Sequence, residues 1–307
     1  MRYILSKAMK EPGYAFYLFR RQYLKLNAGK KFFTFSKEFR ADSEKKEYGS
    51  AIIKILSSQK SFNNFKKNYA YRDILEHVSF EDGLRYLDAI RKRKNSILGL
   101  ALENVLQNDM VGNPVKYSFS GVNYPLSPTT LRYVKVASDL QDLFGSSLGS
   151  VAEIGCGYGG QAYINDQLLS VNDATLFDLP HVNKLIERYL NSFLFKGSYK
   201  TTFINCVKPK SYDLVISNYA FSEFPQSLQE VYIKKVLSHS KRGYLTMNSG
   251  LGCPRTKGKL LLEQLKELLP PFQVYEEEPL TSPSNYIIVW GHNEEVCSKV
   301  DWKIKAC

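Results

Sequence analysis

The pattern of apolar and polar positions changes character part-way along the chain. Up to about residue 110 the apolar residues recur near helical spacing, as in "SAIIKILSSQKSFNNF" and in "FEDGLRYLDAIRKRKNSILGLALENVL", where Leu84, Leu87, Ile90, Leu98 and Leu102 share one periodicity. From about residue 150, short β-rich apolar runs alternate with longer amphipathic stretches, the pattern of an α/β fold with a parallel sheet. Between the two lies "GNPVKYSFSGVNYPLSPTTLRYV", whose glycines and prolines mark a connection. The pattern predicts strands at Ser150–Ile154, Asp173–Asp178, Tyr199–Asn205, Tyr212–Asn218, Gly243–Asn248, Phe272–Glu276 and Asn285–Trp290, with helices in most of the gaps. The expected architecture is a Rossmann-like, doubly wound, mostly parallel seven-stranded α/β sheet with a helical domain before it. The expected divisions are 1–115 for the basic helical domain, 116–149 for a connecting segment that contributes to the active site, 150–292 for the sheet domain and 293–307 for a tail.

The first strand runs into "VAEIGCGYGGQ", which places Gly155, Gly157, Gly159 and Gly160 at the first strand-to-helix turn, where ligands of doubly wound folds bind. Glycine there permits positive φ and leaves room for a ligand against the backbone. A dinucleotide turn has the spacing G-x-G-x-x-G, whereas this one reads G-x-G-x-G-G with Glu153 two residues before the first glycine. An acid at the strand end is badly placed for a pyrophosphate. It suits a cationic ligand such as the sulfonium and amino group of S-adenosylmethionine (SAM). Twenty-five residues after Glu153, "TLFDLPHV" ends the next strand on Asp178, in position to accept hydrogen bonds from ribose hydroxyls.

Charge divides the chain along the same line. Residues 1–120 carry 23 Lys+Arg against 12 Asp+Glu, and residues 121–307 carry 19 against 18, so nearly all of the net charge of +12 lies in the first part. There "GYAFYLFRRQYLKL" mixes aromatic and leucine positions with Arg20, Arg21 and Lys25, and reads either as a helix packed on its own domain or as a peripheral contact with anionic lipid. The run Arg91 to Lys94 would attract an anionic glycan, a nucleotide-sugar or nucleic acid, although no nucleic-acid-binding module is recognisable. Five cysteines at wide spacings suggest neither a disulfide framework nor a zinc site, and no apolar stretch approaches the ~20 residues of a membrane span. A cytoplasmic protein is expected, with the inner face of the membrane as an alternative location and oligomerisation left open.

The segments "VAEIGCGYGG", "FDLPHV" and "YDLVISNYAFSEF" resemble the successive strand-end motifs of class I SAM-dependent methyltransferases. The wider pattern, with "LSPTTLRYVKVASDL" and "RGYLTMNSG", is similar to a bacterial family of sugar O-methyltransferases over roughly residues 120–292. The resemblance implies that Glu153, Gly155, Cys156, Gly157 and Gly159 form the SAM turn, that Asp178 and Leu179 hold the ribose side, and that Asn205, closing the third strand, lies near the adenine. It also implies that Asn218 and Tyr219, at the end of the fourth strand, face the methionine end of the cofactor.

Methyl transfer to an alcohol asks for a general base, because a sugar hydroxyl is a weak acid. "NYAFSEF" offers Glu223 as the carboxylate best placed to take that proton or to orient the hydroxyl. Tyr124, Ser222, Asn248 and Arg255 are the expected acceptor contacts. The histidine and aspartate base of plant-type small-molecule O-methyltransferases has no counterpart here, and each of His77, His181, His239 and His292 is read as structural. The fourth and fifth strands end in Asn218 and Asn248 rather than paired acids, so no metal is expected. Three functions fit: transfer of a methyl group to a sugar of a surface polysaccharide or its precursor, transfer to another small molecule or to RNA, and non-catalytic SAM binding.

Overall fold

The structure, a computed structural model, describes residues 46–72, 74–93, 97, 102–248, 258–283, 285–292 and 302–303. Seven strands form one sheet: β1 (Ser147–Ile154), β2 (Ser170–Phe177), β3 (Ser198–Thr202), β4 (Leu214–Asn218), β5 (Arg242–Met247), β6 (Gln273–Glu276) and β7 (Tyr286–Trp290). Their order across the sheet is β3-β2-β1-β4-β5-β7-β6. The first five are mutually parallel, whereas β7 lies antiparallel to both β5 and β6. Every expected strand is present. The third ends at Thr202, however, and the chain turns through a 3₁₀ segment at Ile204–Cys206, so Asn205 does not close the strand as expected.

Eight helices concern the argument: α1 (Lys46–Leu56), α2 (Phe80–Lys92), α3 (Pro128–Phe144), α4 (Gly160–Leu168), α5 (Pro180–Leu190), α6 (Ala220–Glu223), α7 (Gln226–Lys235) and α8 (Leu262–Leu268). Local sequence explains several of their starts. Ser79 and Asp82 form a reciprocal capping box at α2, and Ser127 caps α3 just before Pro128, whose missing N–H costs nothing in a first turn.

Side chains alternate across β1, so Val151 joins the apolar layer on one face of the sheet while Ala152 and Ile154 join the layer on the other. The Val151 layer also contains Tyr48, Ile52, Phe65, Tyr71 and Ile90. The helices before residue 115 therefore share the core of the sheet, and the described residues show no separate helical domain. Residues 1–45, with the aromatic-basic stretch read either as a helix packed on its own domain or as a lipid contact, lie outside the described residues. Among the described residues no helix is long and apolar enough to cross a membrane.

One buried ionic cluster ties the layers together. Asp139, on α3 and fully buried, accepts from Arg93 Nε at 3.0 Å, from Lys135 Nζ at 2.5 Å and from the Tyr244 hydroxyl at 2.7 Å. Arg93 also reaches Glu278 at 3.3 Å, so a residue just past α2, the middle of α3, strand β5 and the turn after β6 meet in one place. Removing one partner strands the others. Asp139→Ala should lower stability by about 3–5 kcal/mol, the usual cost of leaving buried charge uncompensated. Urea denaturation of the two proteins measures it, and a loss under about 1 kcal/mol would show that the cluster does not hold the layers.

Candidate active site

The strand order reverses between β1 and β4, since the chain moves outward from β1 through β2 to β3 and in the other direction from β4 to β5. A crevice opens beyond the carboxyl ends of strands at such a point. Here it is a cavity of about 250 Å³, bordered by Glu153, Gly155, Gly157, Asp178, Asn218 and Glu223.

What comes so close to the glycine turn is first of all the protein itself. Gly155 has φ 74°, and a Cβ there would overlap the Ala220 side chain at the start of α6. Its missing side chain lets the turns after β1 and β4 touch. A Cβ on Gly157 would lie 2.9 Å from Leu75 Cδ1, so the segment that follows the Tyr69–Arg72 turn roofs the cavity. Gly159 caps α4 with its open side toward Ile186 and Leu190 and stands outside the cavity lining.

Two carboxylates share the site. Asp178 accepts the Gly157 N–H at 3.1 Å and the Leu179 N–H at 2.8 Å, which fixes its orientation beside the turn. Burial nevertheless pushes its carboxyl up to about 7, the backbone hydrogen bonds opposing that rise. Glu153 projects from the Val151 face of β1, and burial, then the charge of Asp178, raise it to about 8. Two desolvated acids side by side favour a cationic ligand with hydroxyl donors, because either feature restores the charged carboxylates. The residues present therefore fit SAM: Glu153 toward a cation, Asp178 toward a ribose, and the buried Leu179 and Ile204 with Phe203 as apolar walls. Cys156 borders the same space, but its thiol donates to the Glu153 carbonyl oxygen at 3.2 Å, and burial holds it well above the usual thiol range.

Beyond β4, Asn218 and Tyr219 both line the cavity. Tyr219 has a left-handed backbone, φ 68°, and its hydroxyl donates to Glu277. Glu277 also accepts from Thr281, at 2.8 Å from its N–H and 2.7 Å from its hydroxyl. Glu223 reaches the cavity and accepts a hydrogen bond from Asn248 Nδ2 at 2.9 Å. The structure thus brings Glu223, Asn218, Tyr219 and Asn248 together with the two acids.

Besides Gly159, three expected contacts are not brought there. Asn205 is exposed and outside the lining, because β3 stops short of it. Tyr124 is 42% exposed, away from the cavity. The Ser222 hydroxyl is used internally, donating to the Tyr219 carbonyl oxygen at 2.6 Å and accepting from the Asn248 N–H at 2.9 Å. Arg255 falls outside the described residues. Conversely, Leu75, Tyr86, Arg132, Tyr133 and Glu277 line the cavity without having been singled out. Among the described residues no group of three or more His, Cys, Asp and Glu is arranged to hold a metal ion.

Solved structures of methyltransferases are similar in fold. The N-methyltransferase NodS from Bradyrhizobium japonicum WM9 is 12% identical with a TM-score of 0.36, over 53% of this chain and 92% of that one. The tRNA (uracil-54, C5)-methyltransferase of Pyrococcus abyssi, in complex with S-adenosyl-L-homocysteine, is 11% identical with a TM-score of 0.36, over 57% of this chain and 43% of that one. A provisionally assigned RNA methyltransferase from Pyrococcus horikoshii is 14% identical with a TM-score of 0.38, over 61% of this chain and 94% of that one. No family model and no curated protein matches the chain. These are likenesses of fold at low identity, and no substrate follows from them.

The two raised acids have a measurable consequence. Well below the ordinary carboxyl range of about pH 4 both are protonated in the folded and unfolded chain and cost nothing. As pH rises toward 8 the unfolded chain releases these protons first, so the ligand-free fold loses stability over that window. The double variant Glu153→Gln, Asp178→Asn should lose less stability than the parent between pH 5 and pH 9. Urea midpoints across that range check this, and parallel pH profiles would refute it.

Proposed function

We propose that this chain is a SAM-dependent O-methyltransferase whose acceptor is a sugar hydroxyl, in a surface polysaccharide or its precursor. The observation that supports the reading is the pairing of Glu153 and Asp178 at the carboxyl ends of neighbouring strands, with the glycine turn between them and one cavity in front. In this reading Asp178 accepts hydrogen bonds from the ribose hydroxyls, held in place by the Gly157 and Leu179 N–H groups. Leu179, Phe203 and Ile204 flank the adenine, and Glu153 faces the cationic end. SAM supplies an electrophilic methyl group on a sulfonium, so the protein's own task is to bring up an oxygen and remove its proton. Glu223, oriented by Asn248, takes that proton as the oxygen–methyl bond forms, while Asn218 positions the acceptor. The amides at the end of β4 and just past β5 suit hydroxyl recognition, and the proposed step uses no metal.

A chain with net charge +12 also suits an anionic acceptor, which keeps RNA as the competing substrate. The deciding assay follows labelled methyl from SAM into polysaccharide, free sugars or RNA, with S-adenosylhomocysteine as the common product. Label in sugar supports the reading, label in RNA replaces the acceptor, and no product under any condition leaves binding alone. Within that assay Glu223→Gln should keep SAM binding and lose about 10²–10⁴ in turnover, as expected of a missing general base. If Glu223→Gln stays within threefold of the parent while Glu277→Gln loses activity, the base is Glu277. Loss of activity with EDTA would refute the metal-free step.

For the cofactor, Asp178→Ala removes hydrogen bonds to a charged acceptor, worth about 1.5–3 kcal/mol each, and should weaken SAM at least tenfold by calorimetry. A change under twofold would place the ribose elsewhere.

A further inference from the structure

The cavity contains a cation that the proposed reaction does not use. Arg132, in the first turns of α3, borders the cavity together with Tyr86, Tyr133 and Tyr219. Its Nη2 donates to the Leu75 carbonyl oxygen at 3.1 Å, and its guanidinium carbon lies 5.4 Å from the centre of the Tyr133 ring. None of these neighbours carries a balancing charge. Burial keeps the Tyr86 hydroxyl protonated, with its pKa pushed up to about 12, and raises those of Tyr133 and Tyr219 as well. Glu76 is the nearby acid; burial raises its carboxyl, which bonds to Thr129 and attracts Arg132 from a distance without forming a contact ion pair.

The adjoining cations are treated differently. Arg93 meets Asp139, Asp142 and Glu278, and Lys135 meets Asp139, so each has a carboxylate in contact. Arg132 forms no ion pair with any described residue. A guanidinium partly withdrawn from water is best satisfied by an anion in contact, and the carboxylates that touch the two cations next door have no counterpart touching Arg132. A rigid fork of N–H donors opening on a cavity matches the two oxygens of a carboxylate.

We infer that Arg132 receives the carboxylate of a bound ligand. Two sources have that chemistry: the amino-acid carboxylate of SAM, and an acid group on the acceptor, such as the carboxylate of a uronic acid. The first rests on the cavity being the SAM site, as proposed above. The second does not, since an acidic acceptor could be read out with no cofactor present.

Calorimetry on the full chain separates them. The probes are S-adenosylhomocysteine, 5′-methylthioadenosine (which lacks the amino-acid part), glucuronate and glucose, the sugars being titrated with and without S-adenosylhomocysteine. If the cofactor supplies the carboxylate, the parent should prefer S-adenosylhomocysteine to 5′-methylthioadenosine, and Arg132→Gln should remove at least tenfold of that preference while leaving 5′-methylthioadenosine unchanged. If the acceptor supplies it, Arg132→Gln should leave both nucleosides unchanged and weaken glucuronate at least tenfold, with glucose unaffected. Arg132→Lys, which keeps the charge but not the fork, should fall between parent and Arg132→Gln. The inference fails if Arg132→Gln weakens S-adenosylhomocysteine and 5′-methylthioadenosine equally, or alters nothing. Should that variant not fold, a parent that prefers neither S-adenosylhomocysteine to 5′-methylthioadenosine nor glucuronate to glucose overturns it. Absence of binding by both nucleosides would instead count against the SAM reading, and the glucuronate comparison would then decide the role of Arg132.

Discussion

The position of helix α3 depends on one buried carboxylate. Asp139 is shared by Arg93, Lys135 and Tyr244, three donors that come from the end of α2, from α3 itself and from β5. A carboxylate offers about four acceptor positions, and sharing one among two cations and a phenol satisfies polar groups that would otherwise be buried alone. The arrangement fixes the rotation of α3 about its axis, since Asp139 must face β5. Residues one and two turns earlier on the same surface, Lys135 and Arg132, are thereby turned toward the cavity. The charge pairing that stabilises the layers also aims the side chains that border the site.

A second constraint is the closeness of the turns after β1 and β4. Gly155 has no side chain, so Ala220 can lie against it, and this brings Asn218 and Tyr219 beside Glu153. The roof has a different origin. Leu75 approaches Gly157, and its carbonyl oxygen takes the Arg132 hydrogen bond, so the cavity is bounded by a segment some eighty residues earlier in the chain than the glycine turn. The helices before residue 115 share the core of the sheet, and this sharing is what keeps that roof in place.

The sheet and its two acids were legible because their signals are local. A β-rich run, an acid, glycines and a turn lie next to one another in sequence, and each is demanded by backbone geometry at that point. The expectation for Asn205 failed because an apolar run does not say where pairing stops: β2 offers β3 partners only as far as Phe177 opposite Thr202. Ser222 failed for another reason. Its position was right, but a hydroxyl at a turn can satisfy backbone groups instead of facing a ligand, and here it does both donor and acceptor duty for the loop. Arg132 was hidden because α3 is buried on nearly every side, including at Lys135, Ser138 and Asp139, so its polar residues mark no solvent face. Glu277 was hidden inside "EEE". A run of three acids reads as a solvated charge patch, yet Glu276 is exposed, Glu277 is buried against Tyr219 and Thr281, and Glu278 pairs with Lys92 and Arg93.

Tyr219 joins these constraints. A left-handed backbone at a residue with a large side chain costs on the order of 1–3 kcal/mol and persists only where surrounding contacts impose it. Those contacts are present. The Tyr219 N–H donates to the Thr246 carbonyl oxygen at 2.8 Å, its carbonyl oxygen accepts the Ser222 hydroxyl, and its own hydroxyl is held by Glu277. A right-handed conformation at this position would redirect the chain leaving β4, moving Ala220 off Gly155 and the phenol away from Glu277. The strain at Tyr219 and the absent side chain at Gly155 are therefore two parts of one arrangement. It sets a phenol and its carboxylate partner in the lining of the cavity that Glu153 and Asp178 also border.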